Sequence, residues 1–148
     1  MIAIEFPAPD FKVVRDDNKD LIFDRYRKKY VTLTPEEWVR QNFLQYLVKS
    51  LQYPASLIGI EKEIYLGELK KRCDIVVYNR NMQPWMIVEC KEMNVPLSLL
   101  TVEQIIRYHM VLRAVYLVIT NGVHTWCSLY RPEKEEWEFV GQIPGYGD

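Results

Sequence analysis

Asp74, Glu89 and Lys91 are the residue types that can act on a phosphodiester bond, and their spacing lets them converge. They sit in two apolar runs, Arg72-Cys73-Asp74-Ile75-Val76-Val77-Tyr78 and Trp85-Met86-Ile87-Val88-Glu89-Cys90-Lys91. The segment between them, Asn79-Arg80-Asn81-Met82-Gln83-Pro84, is polar and contains Pro, so a strand–turn–strand hairpin is predicted. Side chains alternate along a strand, which puts Ile87, Glu89 and Lys91 on one face and Met86, Val88 and Cys90 on the other. Charges at the tip of an apolar strand are costly unless they are paired, hydrated or metal-bound. Two carboxylates with open positions suit a hard divalent cation, Mg²⁺ or Mn²⁺, that keeps several waters. Lys91 can orient or deprotonate an attacking water, or neutralise charge developing on a phosphate. Together these are the parts of metal-assisted phosphodiester hydrolysis. The same three residues also describe a surface hairpin with an Asp–Lys salt bridge, so the flanking chain has to decide.

Thr34-Pro35-Glu36-Glu37 opens a helix that runs to about Ser50, with Thr34 as N-cap, Pro35 at N1 and Glu37 completing a capping box. Its apolar face is Val39, Phe43, Tyr46, Leu47 and Leu51. At 100° per residue Glu36 and Arg40 fall on that face, so Glu36 is expected to approach the site while Glu37 serves the cap. Favourable charge at the positive helix end is the other reading of Glu36. Tyr53-Pro54 breaks the chain, residues 57–66 read as a strand, and Gly67-Glu68-Leu69-Lys70-Lys71 turns it into the hairpin. A second helix starts at Ser98 or Thr101, where Thr101-x-x-Gln104 has capping-box spacing, and ends near Arg113. Gln104 and Tyr108 share one of its faces. Residues 115–120 form an almost continuous apolar run, as in a strand buried on both faces, and residues 123–130 and 137–140 read as further strands. His109 and His124 have no partner motif and are expected to be structural. In residues 1–33, Lys12-Val13-Val14-Arg15 and Leu21-Ile22-Phe23-Asp24 are expected to be two short strands of an N-terminal extension or flap.

A chain of 148 residues forms one good core and not two comfortable ones, so a single domain over residues 1–148 is expected. No apolar run approaches the roughly 18 residues of a membrane span, and no leader-like N-terminus is visible. Three cysteines without C-x-x-C spacing argue against a disulfide framework or structural zinc, and for buried thiols in a cytoplasmic chain. Cys73 and Cys90 each neighbour a candidate site residue and are expected on the opposite face. The net charge of -1 does not advertise nucleic acid. However, Arg25-Tyr26-Arg27-Lys28-Lys29 and Lys70-Lys71-Arg72 are basic clusters, and the second leads straight into Asp74.

The spacing D-x14-E-x-K resembles the PD-(D/E)xK nuclease superfamily. The wider set is more particular. It comprises Thr34-Pro35-Glu36-Glu37-Trp38-Val39-Arg40-Gln41, Tyr53-Pro54, Lys71-Arg72-Cys73-Asp74-Ile75-Val76-Val77-Tyr78, Val88-Glu89-Cys90-Lys91, Gln104-x-x-Arg107-Tyr108 and Ile119-Thr120-Asn121-Gly122. In that order they resemble the family related to the N-terminal nuclease domain of type I restriction enzyme R subunits, over roughly residues 30–130. The resemblance implies an α/β (α+β) restriction-endonuclease-like αβββαβ core with a mixed sheet flanked by helices. It implies that Asp74 and Glu89 bind Mg²⁺ or Mn²⁺ and that Lys91, Glu36 and Gln104 serve catalysis. Arg72, Lys71, Tyr108 and Arg40 are the expected nucleic-acid contacts. Cys73 stands where the superfamily name has Pro, a position that varies widely. No G-x-x-x-x-G-K-[ST] loop is present, so ATP-driven translocation is not expected of this chain, and restriction proper would need other subunits.

Two functions follow from different classes. One is a metal-dependent DNA endonuclease in restriction, repair or defence, acting as a homodimer or with separate restriction or repair subunits. The other is a catalytically inactive nucleic-acid-binding or assembly module on the same fold. Retention of all three charged residues favours the first.

Overall fold

In the computed structural model, which describes residues 1–147, two sheets and two helices form. In chain order they are β1 (Val13–Asp16), β2 (Lys19–Asp24), β3 (Lys29–Thr32), α1 (Pro35–Gln45), β4 (Ile58–Leu66), β5 (Leu69–Tyr78) and β6 (Pro84–Cys90). α2 (Leu99–His109), β7 (Tyr116–Thr120), β8 (Thr125–Arg131) and β9 (Glu136–Val140) follow. β4 to β9 lie side by side in sequence order as one six-stranded sheet. Its neighbours are antiparallel except β6 and β7, which run parallel and are joined by the α2 crossover. This is the expected αβββαβ core with β8 and β9 added, a mixed α/β sheet of restriction-endonuclease-like form. No helix among the described residues is long and apolar enough to cross a membrane.

Each helix covers one face of the sheet, because strand residues alternate between the faces. Val39, Phe43, Leu44 and Leu47 of α1 and its extension bury against Ile75, Val77, Met86, Val88, Cys90 and Val118. Val102 of α2 and Leu112 just after it pack on Val76, Ile87, Leu117 and Ile119. Thr34 caps α1 as expected, accepting the Glu37 N–H at 3.0 Å. The helical path does reach Ser50, although its last turn, Tyr46–Ser50, widens to a π-helix. The cap of α2 is Ser98, whose hydroxyl accepts the Thr101 N–H at 3.2 Å. Thr101 is thus the third helical residue, and Thr101-x-x-Gln104 is not a capping box.

Two expectations about the strands need correction. β5 begins at Leu69, not Arg72, because Leu66 pairs directly with Leu69 across the two-residue turn Gly67-Glu68. That turn puts Gly67 at φ +61, a conformation glycine adopts without steric cost. The β4–β5 hairpin is therefore a longer arm, with Tyr65, Leu66 and Leu69 exposed near its tip. The expected two-stranded flap is a three-stranded antiparallel sheet, β1-β2-β3. Its third strand starts inside the basic run, at Lys29, where charge hid the alternation of Tyr30 and Val31. The extreme N-terminus joins the main sheet. Ile2 N–H donates to Thr125 at 2.8 Å, and Ile2, Ile4 and Phe6 pack on the α1-side core.

Phe43 is fully buried between α1 and the sheet. Phe43→Ala should destabilise the protein by about 3–5 kcal/mol. Val123→Ser, at an exposed side chain, should stay within about 0.5 kcal/mol. Urea unfolding of both variants against wild type measures the contrast.

Candidate active site

The β5–β6 ladder carries the site because it stops short. Its pairs are Ile75 with Val88, Val76 with Ile87 and Val77 with Met86, a register that continued would set Asp74 opposite Glu89. At that point a side chain replaces the main-chain ladder: Asp74 Oδ2 accepts the Cys90 N–H at 2.7 Å. β6 is held on its other side, where the Lys91 N–H donates to the Thr120 carbonyl at 2.8 Å. Asp74 and Glu89 are thereby fixed side by side at the carboxyl end of β6.

The two carboxylates lean toward different helices. Asp74 Oδ1 lies 3.8 Å from Arg40 Nη1 on α1. Glu89 Oε1 lies 3.3 Å from Lys91 Nζ, and its Oε2 lies 3.4 Å from His109 Nε2 at the end of α2. They remain close enough to feel each other. Burial, and then the charge of Glu89, push the Asp74 carboxyl up to about 7, against the opposing pull of the Cys90 N–H and Arg40. For Glu89 burial also acts upward, but the His109 hydrogen bond and charge and the Lys91 ammonium outweigh it. Glu89 therefore lies below its ordinary range.

The first helix supplies two carboxylates with different surroundings. Glu37 is buried and does not complete a capping box, since its carboxylate is taken up elsewhere. It accepts from Arg27 Nη2 at 2.7 Å and from Gln41 Nε2 at 3.1 Å, and lies 3.2 Å from Arg40 Nε. Glu36 stays half-exposed at the rim, 4.0 Å from Arg40 Nη2, and its charge is one of those that raise the Asp74 pKa. An open hollow of about 510 Å³ runs past Thr34, Glu36, Arg40, Glu61 and Glu92.

The expected nucleic-acid contacts divide. Arg40 is 4% exposed, and Glu37, Glu61 and Asp74 surround its guanidinium. Its expected role as a nucleic-acid contact is corrected on that ground: the group is enclosed and its charge is already matched by carboxylates. Arg72 is largely exposed, and its Nη2 donates to Glu61 Oε2 at 2.8 Å. Lys71 places its ammonium 3.6 Å from the centre of the exposed Tyr108 ring, so the β4–β5 arm and α2 meet in a cation–π contact. Gln104 is exposed on α2, and no hydrogen bond ties it to Asp74, Glu89 or Lys91 among the described residues.

Three residues that matter here carry little signal in the sequence. His109, expected to be a lone structural histidine, is buried against Glu89. Its clue is position, since Val102, Ile106 and His109 follow the helical i, i+4, i+7 stripe that faces the sheet. Glu61 looked like one charge in the run Glu61-Lys62-Glu63. Once the turn at Gly67-Glu68 is placed, it falls opposite Asp74, where the β4–β5 ladder skips a pair and Glu61 takes φ +51. Arg27 belongs to a basic cluster, yet it is mostly buried between Asp24, Glu37 and Glu61. The same distortion at Glu61 and Asp74 corrects the expectation for Cys73. This thiol packs with Val76 and Ile87 on the α2 side, the side of Glu89, whereas Cys90 lies on the α1 side. Burial pushes the Cys73 thiol up to about 12.

A hard divalent ion fits this donor set. Asp74 and Glu89 present oxygens that repel each other when both are ionised, and burial together with this repulsion raises the Asp74 pKa. Among the described residues no group of three or more His, Cys, Asp or Glu is placed to hold a metal ion, so the protein's own ligands would be these two carboxylates. Two carboxylates with water in the remaining positions is how Mg²⁺ is commonly held.

Two outcomes follow from these charges. Glu37→Gln removes the carboxylate shared by two buried arginines and should cost about 3–5 kcal/mol in denaturant unfolding. Glu36→Gln, at the rim, should cost little. The folded pKa of Asp74 is raised, so its contribution to stability is fully present below the unfolded value of 3.8 and is lost as pH rises through about 7. Metal-free wild type should therefore lose a few kcal/mol relative to Asp74→Asn between pH 4 and 8, measured by urea unfolding at each pH in the presence of chelator.

The family model described as type I restriction enzyme R protein N terminus (HSDR_N) matches residues 35–144, which include both helices and Glu36, Arg40, Asp74, Glu89, Lys91 and His109. No curated protein matches the chain.

Proposed function

The chain belongs to the type I restriction enzyme R protein N-terminal family, and from that premise we propose that it is a metal-dependent DNA endonuclease acting in restriction, repair or defence. The observation that carries this reading is the pairing of Asp74 and Glu89 at the splayed end of β5 and β6, with Lys91 Nζ 3.3 Å from Glu89. Asp74 and Glu89 hold the ion. A bound Mg²⁺ or Mn²⁺ supplies Lewis acidity toward the phosphate and lowers the pKa of a nearby water.

The protein's own groups do the rest. The Cys90 N–H fixes Asp74 so that one of its oxygens stays available. Lys91 keeps its ammonium beside Glu89, where it orients the attacking water or offsets charge gathering on the phosphate. Glu36, half in solvent and within electrostatic reach of Asp74, is placed to hydrogen-bond a water at the rim. Gln104, exposed on α2, is a candidate to contact the DNA strand beside the site. Arg72 and Lys71 on β5, with Tyr108 on α2, form a basic and aromatic approach for the DNA backbone. Arg40 acts from within by holding Asp74 in place. Cutting both strands of a duplex calls for two such sites, supplied by a homodimer or by separate restriction or repair subunits.

The test pairs a thermal-shift titration with a digestion panel of linear, circular, branched and single-stranded DNA. Mg²⁺ or Mn²⁺ should raise the melting temperature of wild type through linkage. Asp74→Asn should lose most of that rise and all cleavage. Lys91→Ala should keep a metal-dependent rise, reduced by its share in holding Glu89, and lose about 10²-fold or more of the cleavage rate. The absence of a metal-dependent rise in wild type, or an equal rise in Asp74→Asn, moves the reading to a non-catalytic DNA-binding module.

A further inference from the structure

His109 ends α2 and is 2% exposed. Its Nε2 faces Glu89 Oε2 at 3.4 Å, while Lys91 Nζ faces the other oxygen at 3.3 Å. Its second nitrogen, Nδ1, is buried and has no hydrogen-bond partner among the described residues. The ring of Tyr108 stands edge-on to the imidazole at 4.8 Å, and Lys71 lies over the Tyr108 ring, so the imidazole is held in place from the arm side.

A histidine in this position is a poor core filler. Leu or Phe would occupy the apolar stripe of α2 without stripping water from a nitrogen that finds no partner. What His109 adds over those residues is a donor at Nε2, aimed at one carboxylate. That carboxylate needs holding, because the terminal torsion of a Glu side chain is broad and sets few limits of its own. Two donors, one on each oxygen, stop the rotation.

We infer that His109 is a positioning residue for metal binding: it donates from Nε2 to Glu89 and, with Lys91, fixes the carboxylate in the orientation in which it takes a divalent ion together with Asp74. This rests on the reading of Asp74 and Glu89 as the metal ligands. Partners one step removed from a metal typically change its affinity 10–100-fold when lost.

The experiment is a Mn²⁺ titration of the full chain, with free Mn²⁺ followed by electron paramagnetic resonance. It compares wild type, Asp74→Asn, His109→Phe and His109→Gln, with metal-free melting curves recorded for each. His109→Phe keeps a ring and removes the donor, and should weaken Mn²⁺ binding about 10-fold or more. His109→Gln returns an N–H near the position of Nε2 and should recover most of the affinity. If Phe does not fit the space, His109→Leu gives the same comparison with Gln. Wild-type affinity in the donor-less variant overturns the inference, and so does equal weakening in the Phe and Gln variants, which would mean packing alone. Wild type that binds Mn²⁺ no better than Asp74→Asn removes the metal site itself, and the role of His109 falls with it.

Discussion

Two carboxylates fixed side by side where water is scarce repel each other, and much of the surrounding structure acts on that repulsion. Asp74 and Glu89 cannot move apart, because a main-chain amide anchors one and the parallel β6–β7 pairing anchors the strand of the other. Burial first, and then the charge of Glu89, push the Asp74 carboxyl up to about 7, whereas His109 and Lys91 hold Glu89 below its ordinary range. This asymmetry is what environment does to paired acids: one is poised to give up a proton and the other is already ionised.

Arg40 connects this centre to the rest of the chain. A buried guanidinium is tolerable only when carboxylates surround it, and four do so from three different elements: Glu36 and Glu37 on α1, Glu61 on β4 and Asp74 on β5. Glu37 and Glu61 in turn take Arg27, and Arg27 pairs with the fully buried Asp24 at the end of β2. The small N-terminal sheet is thus joined to the site by alternating charges rather than by apolar packing alone. Such a network is costly to break at any one member, because each removal leaves a neighbour charged and dry. It also fixes the angle at which α1 meets the hairpin, and that angle sets where Glu36 can reach.

Sequence patterns carried the architecture well and the fine placement less well. Alternation in residues 72–91, the Thr34-Pro35 start and the apolar run at 115–120 are strong local signals, and the helices and central strands follow them. Asp74, Glu89 and Lys91 are legible for the same reason: charge inside an apolar strand stands out against its background. What was not legible depends on registers between distant strands. Glu61 gains meaning only opposite Asp74, Arg27 only once the β2–β3 turn folds it toward α1, and His109 only once α2 is rotated onto the sheet. Arg40 was misjudged because helical periodicity places a residue on a face without revealing whether that face opens to solvent or to other charges. Cys73 was misjudged because strict alternation fails where the ladder is distorted at Glu61 and Asp74.

The parallel pairing of β6 with β7 has a further consequence. It leaves Asp74, Glu89 and Lys91 together at one end of the sheet, where β6 terminates. The Asn79–Pro84 turn closes the hairpin at the opposite end, five residues of β6 and about 17 Å from Glu89. Asn79 Oδ1 stabilises this turn locally by accepting the N–H groups of Asn81 and Gln83, without support from the site. The end that carries Asp74 and Glu89 and the end that carries this turn are therefore held by separate sets of hydrogen bonds. A change of length within the turn leaves the hydrogen bonds that place Asp74 and Lys91 intact, because none of them involves residues 79–84.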